Sequence, residues 1–213
     1  MTEEIADTSS DNTSTEDALR RHQLLKKQAA YHGVALVSAI ALWAAADSWV
    51  QISGLAAASG FAVLASIVFG IAVSHIVHEW SHYLGACLTG AVSNIKPAPD
   101  FLFFDFDYVA NSRRQFLWMS IGGSAGNYGL IVLVMLLIPM DTAGRAMLLA
   151  TVAAMAVYVA VLELAVIRRV RRGEEPLSVL ADHFGQGAAL FNRATRCAVI
   201  AGVLLWLLLL LFQ

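Results

Sequence analysis

Residues 55–88 read LAAASGFAVLASIVFGIAVSHIVHEWSHYLGACL. From Leu55 to Val77 this stretch contains no Asp, Glu, Lys or Arg. A bilayer core of about 30 Å takes roughly 20 apolar residues in helical form, so 55–77 reads as a span, with the helix continuing to about Leu88. Four more segments have the same character: approximately 34–52, 115–139, 143–167 and 195–212. The last, with Leu204-Leu205-Trp206-Leu207 and the leucines after it, is the plainest. The expected fold class is an all-α polytopic membrane protein of about five transmembrane helices.

Composition agrees. Hydrophobic residues make up 58% of the 213 and charged residues 14%, against roughly 25% charge in a soluble domain. A net charge of −2 excludes a general nucleic-acid binder, which is basic overall; the bilayer itself is the expected surrounding. Cys87 and Cys197 are too far apart in sequence for a metal-ligand pair or a disulfide framework and read as packing residues. No internal repeat is evident.

Lys and Arg collect on alternate sides of the spans. Arg20, Arg21, Lys26 and Lys27 precede the first. Lys96, Arg113 and Arg114 follow the second. Arg168, Arg169, Arg171, Arg172, Arg193 and Arg196 lie between the fourth and fifth. Only Arg145 falls on the other side. Basic residues favour the cytosolic face, so the N-terminus is expected in the cytosol and the C-terminus outside, with short external loops near Gly54 and Asp141. Arg168–Arg172 reads as part of this orientation signal rather than as a lipid-binding patch. Residues 1–30 are expected to form an acidic tail, disordered over 1–14, and a short cytosolic helix over Ala18–Lys27. Ser14 and Asp17 are spaced for its capping box. The opening Met-Thr-Glu-Glu is unlike a secretory signal. Residues 31–213 form the membrane domain.

The one long irregular stretch is about Gly90–Ser112. Within it Phe104, Phe106 and Tyr108 alternate with Asp105 and Asp107, the period of a strand with one apolar face. Asp105 and Asp107 read as its polar face rather than as metal ligands. Trp43, Trp49, Trp118 and Trp206 read as interface or packing aromatics, and Gly60, Gly70, Gly122 and Gly123 as points of close helix contact.

The chemistry is concentrated in His78-Glu79-Trp80-Ser81-His82, an H-E-x-x-H pattern. Four residues apart on a helix, His78 and His82 project from one face and can take two corners of a zinc tetrahedron. Glu79 beside them can act as general base and then acid. A bare H-E-x-x-H also arises by accident, as a polar cluster at a helix end. The membrane argues for function, because ionisable groups are costly there without partners. His75, on much the same face, is expected to support the site or line a water path.

His78-Glu79-Trp80-Ser81-His82-Tyr83-Leu84-Gly85-Ala86 resembles the signature of the site-2 protease family of zinc intramembrane metalloproteases, with Gly85 and Ala86 at the family's small pair. That family has a second motif, G-P-x-x-N, in the next helix. Gly123-Ser124-Ala125-Gly126-Asn127 is similar, with serine in place of proline. The family often has a membrane-associated β-hairpin between the two motifs, where Leu102–Val109 lies. The resemblance covers roughly 54–187 and implies a three-helix catalytic core with Zn²⁺ as cofactor.

It also implies roles for further residues. Asn127 is expected to donate to a substrate carbonyl or its oxyanion; an interhelical hydrogen bond of about 1 kcal/mol is the alternative. The family's third ligand is an aspartate in an L-D-G-like motif. The closest match is Leu180-Ala181-Asp182-His183-Phe184-Gly185, in which His183 stands where the glycine should be and Ala181 is extra. Asp182 is the favoured third ligand, provided that Pro176–Leu190 folds back on the bundle. Glu163, inside the fourth span, is its rival on grounds of depth and of the cost of a charge in the membrane. His183 comes third.

The expected activity is that of a zinc-dependent intramembrane endopeptidase acting on a transmembrane or membrane-associated protein near the cytosolic face. The strand near Phe104 and Phe106 would hold the unwound substrate by strand addition. The resemblance suggests a membrane-bound transcription regulator as substrate and a bacterial plasma membrane as location. The alternative is a catalytically silent relative that binds membrane proteins, against which the retained Glu79 counts. A di-iron hydroxylase would need more histidine clusters than six histidines allow.

Overall fold

The computed structural model describes residues 16–100 and 102–213. The expected disordered tail over 1–14, with the Ser14 half of the capping box, lies outside the described residues. Five helices are long and apolar enough to cross a bilayer, which makes the chain an integral membrane protein: α1 (Glu16–Ser53), α2 (Ala56–Leu88), α3 (Arg113–Leu137), α4 (Ala143–Arg171) and, after a short α5 (Pro176–Phe184), α6 (Ala188–Leu210). Strands β1 (Ser93–Ile95) and β2 (Phe104–Phe106) pair antiparallel between α2 and α3, with Ser93 opposite Phe106 and Ile95 opposite Phe104. The all-α bundle with one small hairpin is as expected.

Helix ends follow local chemistry. Ser112 and Gln115 form a reciprocal capping box that starts α3, satisfying N–H groups that the helix itself cannot pair. Thr142 accepts from the Arg145 N–H at the start of α4, and Pro176 opens α5, where its missing N–H costs nothing. Gly54, at φ +62°, makes the α1–α2 turn. Two boundaries differ from expectation. The short helix expected over Ala18–Lys27 is continuous with the first span, because Leu24 to Ala30 are good helix formers and Gly33 alone does not break the helix. The fifth span starts at Ala188, ahead of 195.

The extended α1 has a purpose at the hairpin. Gln28, wholly buried, donates from Nε2 to the Lys96 and Ala98 carbonyls, both at 2.8 Å. Arg21 Nη1 donates to the Ser93 carbonyl at 2.7 Å and Lys27 Nζ to the Pro97 carbonyl at 2.8 Å. These contacts cover the β1 side of the hairpin. On β2, the Phe103 carbonyl accepts from Lys96 N and Asp107 N donates to Val92 O. Antiparallel residues alternate in the direction of their backbone groups, so those of Phe104 and Phe106 face away from β1 and form an edge without a backbone partner among the described residues.

Two larger apolar cores and a small one of Ala46, Ala62 and Ala65 result. One, at the hairpin end, joins Ile95, Phe103, Phe104 and Phe106 to Phe116, Met119, Val170 and Val179. The other fills mid-bundle with Phe69, Val73, Leu130, Leu148 and Val152. Trp43 stacks on Phe69 at 5.4 Å and Trp206 donates to the Ala143 carbonyl. Trp49 meets Phe61 edge-on, and Trp118 is exposed. Cys87 and Cys197 are exposed rather than packed, each standing on an outward helix face.

Candidate metal centre

His78 and His82 lie near the hairpin end of α2 and are both buried. His82 Nδ1 is 2.8 Å from the Met119 carbonyl. A carbonyl only accepts, so Nδ1 carries a proton, and in the neutral form of the ring the lone pair of Nε2 points the other way. That Nε2 is 2.9 Å from His78 Nε2 and 3.0 Å from Glu163 Oε1, and His78 Nε2 is 3.1 Å from the same oxygen. Three donor atoms from two helices thus converge on one point. Lone pairs and an anionic oxygen at such separations repel unless a proton or a cation lies among them.

The donor set fits a zinc ion. Two imidazole nitrogens and one carboxylate oxygen are a known catalytic combination, and metal–ligand distances near 2 Å give a tetrahedron with edges of about 3.3 Å. The three observed separations, 2.9, 3.0 and 3.1 Å, are close to such an edge. Glu79 also comes near: a carboxylate oxygen of Glu79 and ligand atoms of His78 and His82 lie within 4.8 Å of one another. The trio with Glu163 is the tighter one, which leaves Glu79 beside the donors.

The expected third ligand, Asp182, lies elsewhere. The segment after Pro176 does fold back, as α5, with Pro176, Val179 and His183 buried. Burying that face turns Asp182 outward, where its carboxylate is 69% exposed and ion-paired with Arg169. Arg169 also holds Glu174 at 2.7 Å, and that contact lowers the Glu174 pKa below its ordinary value. Glu163 instead has one oxygen on the histidines and Oε2 accepting from Ser124 Oγ at 3.1 Å. His183 is buried with Nε2 unpartnered and forms no part of the centre.

A cavity of about 280 Å³ opens on the three donors. Glu79, Phe104, Phe106, Tyr108, Phe116, Leu162, Leu180 and Phe184 are among the residues that line it. Phe104 and Phe106 therefore stand at the candidate site. Burial, with a smaller contribution from the nearby Asp105 charge, pushes the Tyr108 phenol above its ordinary range, keeping this wall neutral. Asp105 is exposed, 3.5 Å from Lys96, and Asp107 accepts from the Val109 and Ala110 N–H groups; both belong to the hairpin's polar side.

Asn127 makes the interhelical contact that is the alternative reading of its amide. It is 2% exposed and does not line the cavity. Its Nδ2 is 3.3 Å from His78 Nδ1, behind the ring, and its Oδ1 is buried without a partner. The reason is spacing: Met119, Gly123 and Asn127, four residues apart on α3, face α2 together. His75 lines a different cavity, between α1 and α2, with Tyr31, His32 and Asp100. Ser124, which holds Glu163, stands where the second motif has proline, and that departure is its signal in the sequence. Scans against protein-family models, curated proteins and solved structures find no match to this chain.

Proposed function

We propose that the chain is a zinc-dependent intramembrane endopeptidase whose ligands are His78, His82 and Glu163. The observation that carries this reading is the convergence of two imidazole nitrogens and a carboxylate oxygen, 2.9–3.1 Å apart, beside an unused glutamate in an apolar cavity. Bound there, zinc would supply Lewis acidity and a lowered pKa for water. Glu79 takes the proton from the attacking water and delivers it to the leaving amine nitrogen. The products of a cut are a carboxylate and an amine, so no redox partner is required.

A transmembrane helix hides its peptide bonds in its own hydrogen bonds and must unwind before it is cut. The outer edge of β2 offers backbone partners at Phe104 and Phe106, whose side chains also line the cavity. Strand addition there holds the unwound segment, and the apolar walls suit apolar side chains flanking the scissile bond. The distribution of Lys and Arg supports a cytosolic N-terminus and an external C-terminus; the resemblance to the site-2 protease family suggests a bacterial plasma membrane and a membrane-bound transcription regulator as the substrate class.

Glu79→Gln is the direct test. Purified variant should keep the zinc content of wild type, while cleavage falls by at least about 100-fold, as expected for a lost general base. Single-span membrane proteins that accumulate uncut in cells carrying the variant identify the substrate. Full zinc with undiminished proteolysis would rule out the mechanism.

A further inference from the structure

We infer that α3 is the brace of the metal centre and that Ser124 and Asn127 are positioning residues for its ligands. This rests on the reading of His78, His82 and Glu163 as the metal-binding trio. Each ligand is held from α3 on the side away from the point of convergence. The Met119 carbonyl holds His82 Nδ1, Ser124 Oγ holds Glu163 Oε2 and Asn127 stands at His78 Nδ1. Gly123 allows the approach: a Cβ there would lie 2.3 Å from the His82 ring. With Oε2 engaged by the serine hydroxyl, Glu163 presents Oε1 alone to the histidines.

Asn127 adds a choice of tautomer. A neutral His78 that gives the Nε2 lone pair to a metal carries its proton on Nδ1, and that N–H needs an acceptor. The buried Asn127 Oδ1 has none to serve at present. Turning the amide by 180° brings this oxygen to Nδ1 and pairs the two, with Nδ2 taking the place where the oxygen now stands. Asn127 therefore acts on the substrate only through His78. Partners of this kind fix ring orientation and raise ligand basicity, and losing one typically weakens metal binding 10–100-fold.

The test is zinc affinity by chelator competition, with the visible spectrum of the cobalt-substituted protein, on purified full-length variants. Ser124→Ala and Asn127→Ala should each lose about 10–100-fold in affinity. Ser124→Thr, which keeps the hydroxyl, should recover it. Asn127→Asp, acceptor only, should bind zinc better than Asn127→Ala. The cobalt spectrum of Ser124→Ala should change as Glu163 becomes free to bind through both oxygens. Wild-type affinity and spectrum in Ser124→Ala and wild-type affinity in Asn127→Ala, with at most a lower melting temperature, would overturn the proposal; Ser124→Ala decides it if Asn127→Ala does not fold. Weakening in Asn127→Asp equal to that in Asn127→Ala would remove the acceptor role. Failure of wild type itself to bind zinc or cobalt would instead remove the metal centre, and the brace with it.

Discussion

A carboxylate serves a metal only when no nearer cation holds it. Asp182 is exposed and engaged by Arg169, whereas Glu163 is 20% exposed and pointed at two imidazoles. The expected outcome is that Glu163→Gln loses zinc sharply and Asp182→Ala keeps it, measured as metal stoichiometry of the purified proteins; the opposite result would restore the motif-based assignment. The local part of this site was legible in the sequence. His78, Glu79 and His82 fall within one helical turn, so their spacing alone gives their geometry. Glu163 was legible only as an intramembrane charge in need of a reason, because a contact across 81 residues depends on how α2 and α4 meet. The L-D-G-like motif pointed to Asp182, but a motif interrupted by Ala181 and His183 does not fix which way a helix faces. Burial of Val179 and His183 does.

Among elements, α2 and α3 meet most intimately, through glycine. A Cβ at Gly122 would lie 2.4 Å from the Ser81 carbonyl oxygen, and one at Gly85 2.4 Å from the Trp118 carbonyl oxygen. Both obstacles are backbone and cannot swing aside. Gly122→Ala should therefore push the helices apart, costing about 1–3 kcal/mol as overpacking does and disturbing the hold of Met119 on His82. Gly60→Ala is the matched control, since nothing lies within 4 Å of a Cβ there and alanine is the better helix former. Thermal unfolding in detergent should separate the two; equal effects would show that the seam tolerates more than its geometry implies. From the sequence both glycines read alike as contact points, because composition does not say which face of a helix is covered. The hairpin was easier to foresee. Its period of two over Phe104–Tyr108 is a local signal, although the role of α1 in covering β1 through Gln28 and Arg21 is tertiary and left no mark in that pattern.

At the scale of the whole molecule, the lone basic residue away from the main clusters has an explanation. Arg145 Nη2 is 2.7 Å from Asp47 and Arg145 Nη1 2.9 Å from Asp141, so its charge is met by two carboxylates and joins α1 to α4 at the end remote from the candidate metal centre. The basic residues at the other end are more numerous than the acids that pair with them there, and it is the count of Lys and Arg near the spans that orients a membrane protein. We expect the hairpin, the metal centre and α5 to lie on the cytosolic side. In a background with Cys87 and Cys197 replaced by alanine, Leu55→Cys and Pro139→Cys should react with a membrane-impermeant thiol reagent on intact cells. Asn94→Cys and Glu175→Cys should react only after lysis; all four positions are exposed, so burial does not mask the readout. The reverse pattern would invert the protein and put the cavity on the external side. The helices, the three donors and their braces would be unchanged, but any cut would then fall near the outer face, and a regulator released into the cytosol would no longer be a fitting substrate.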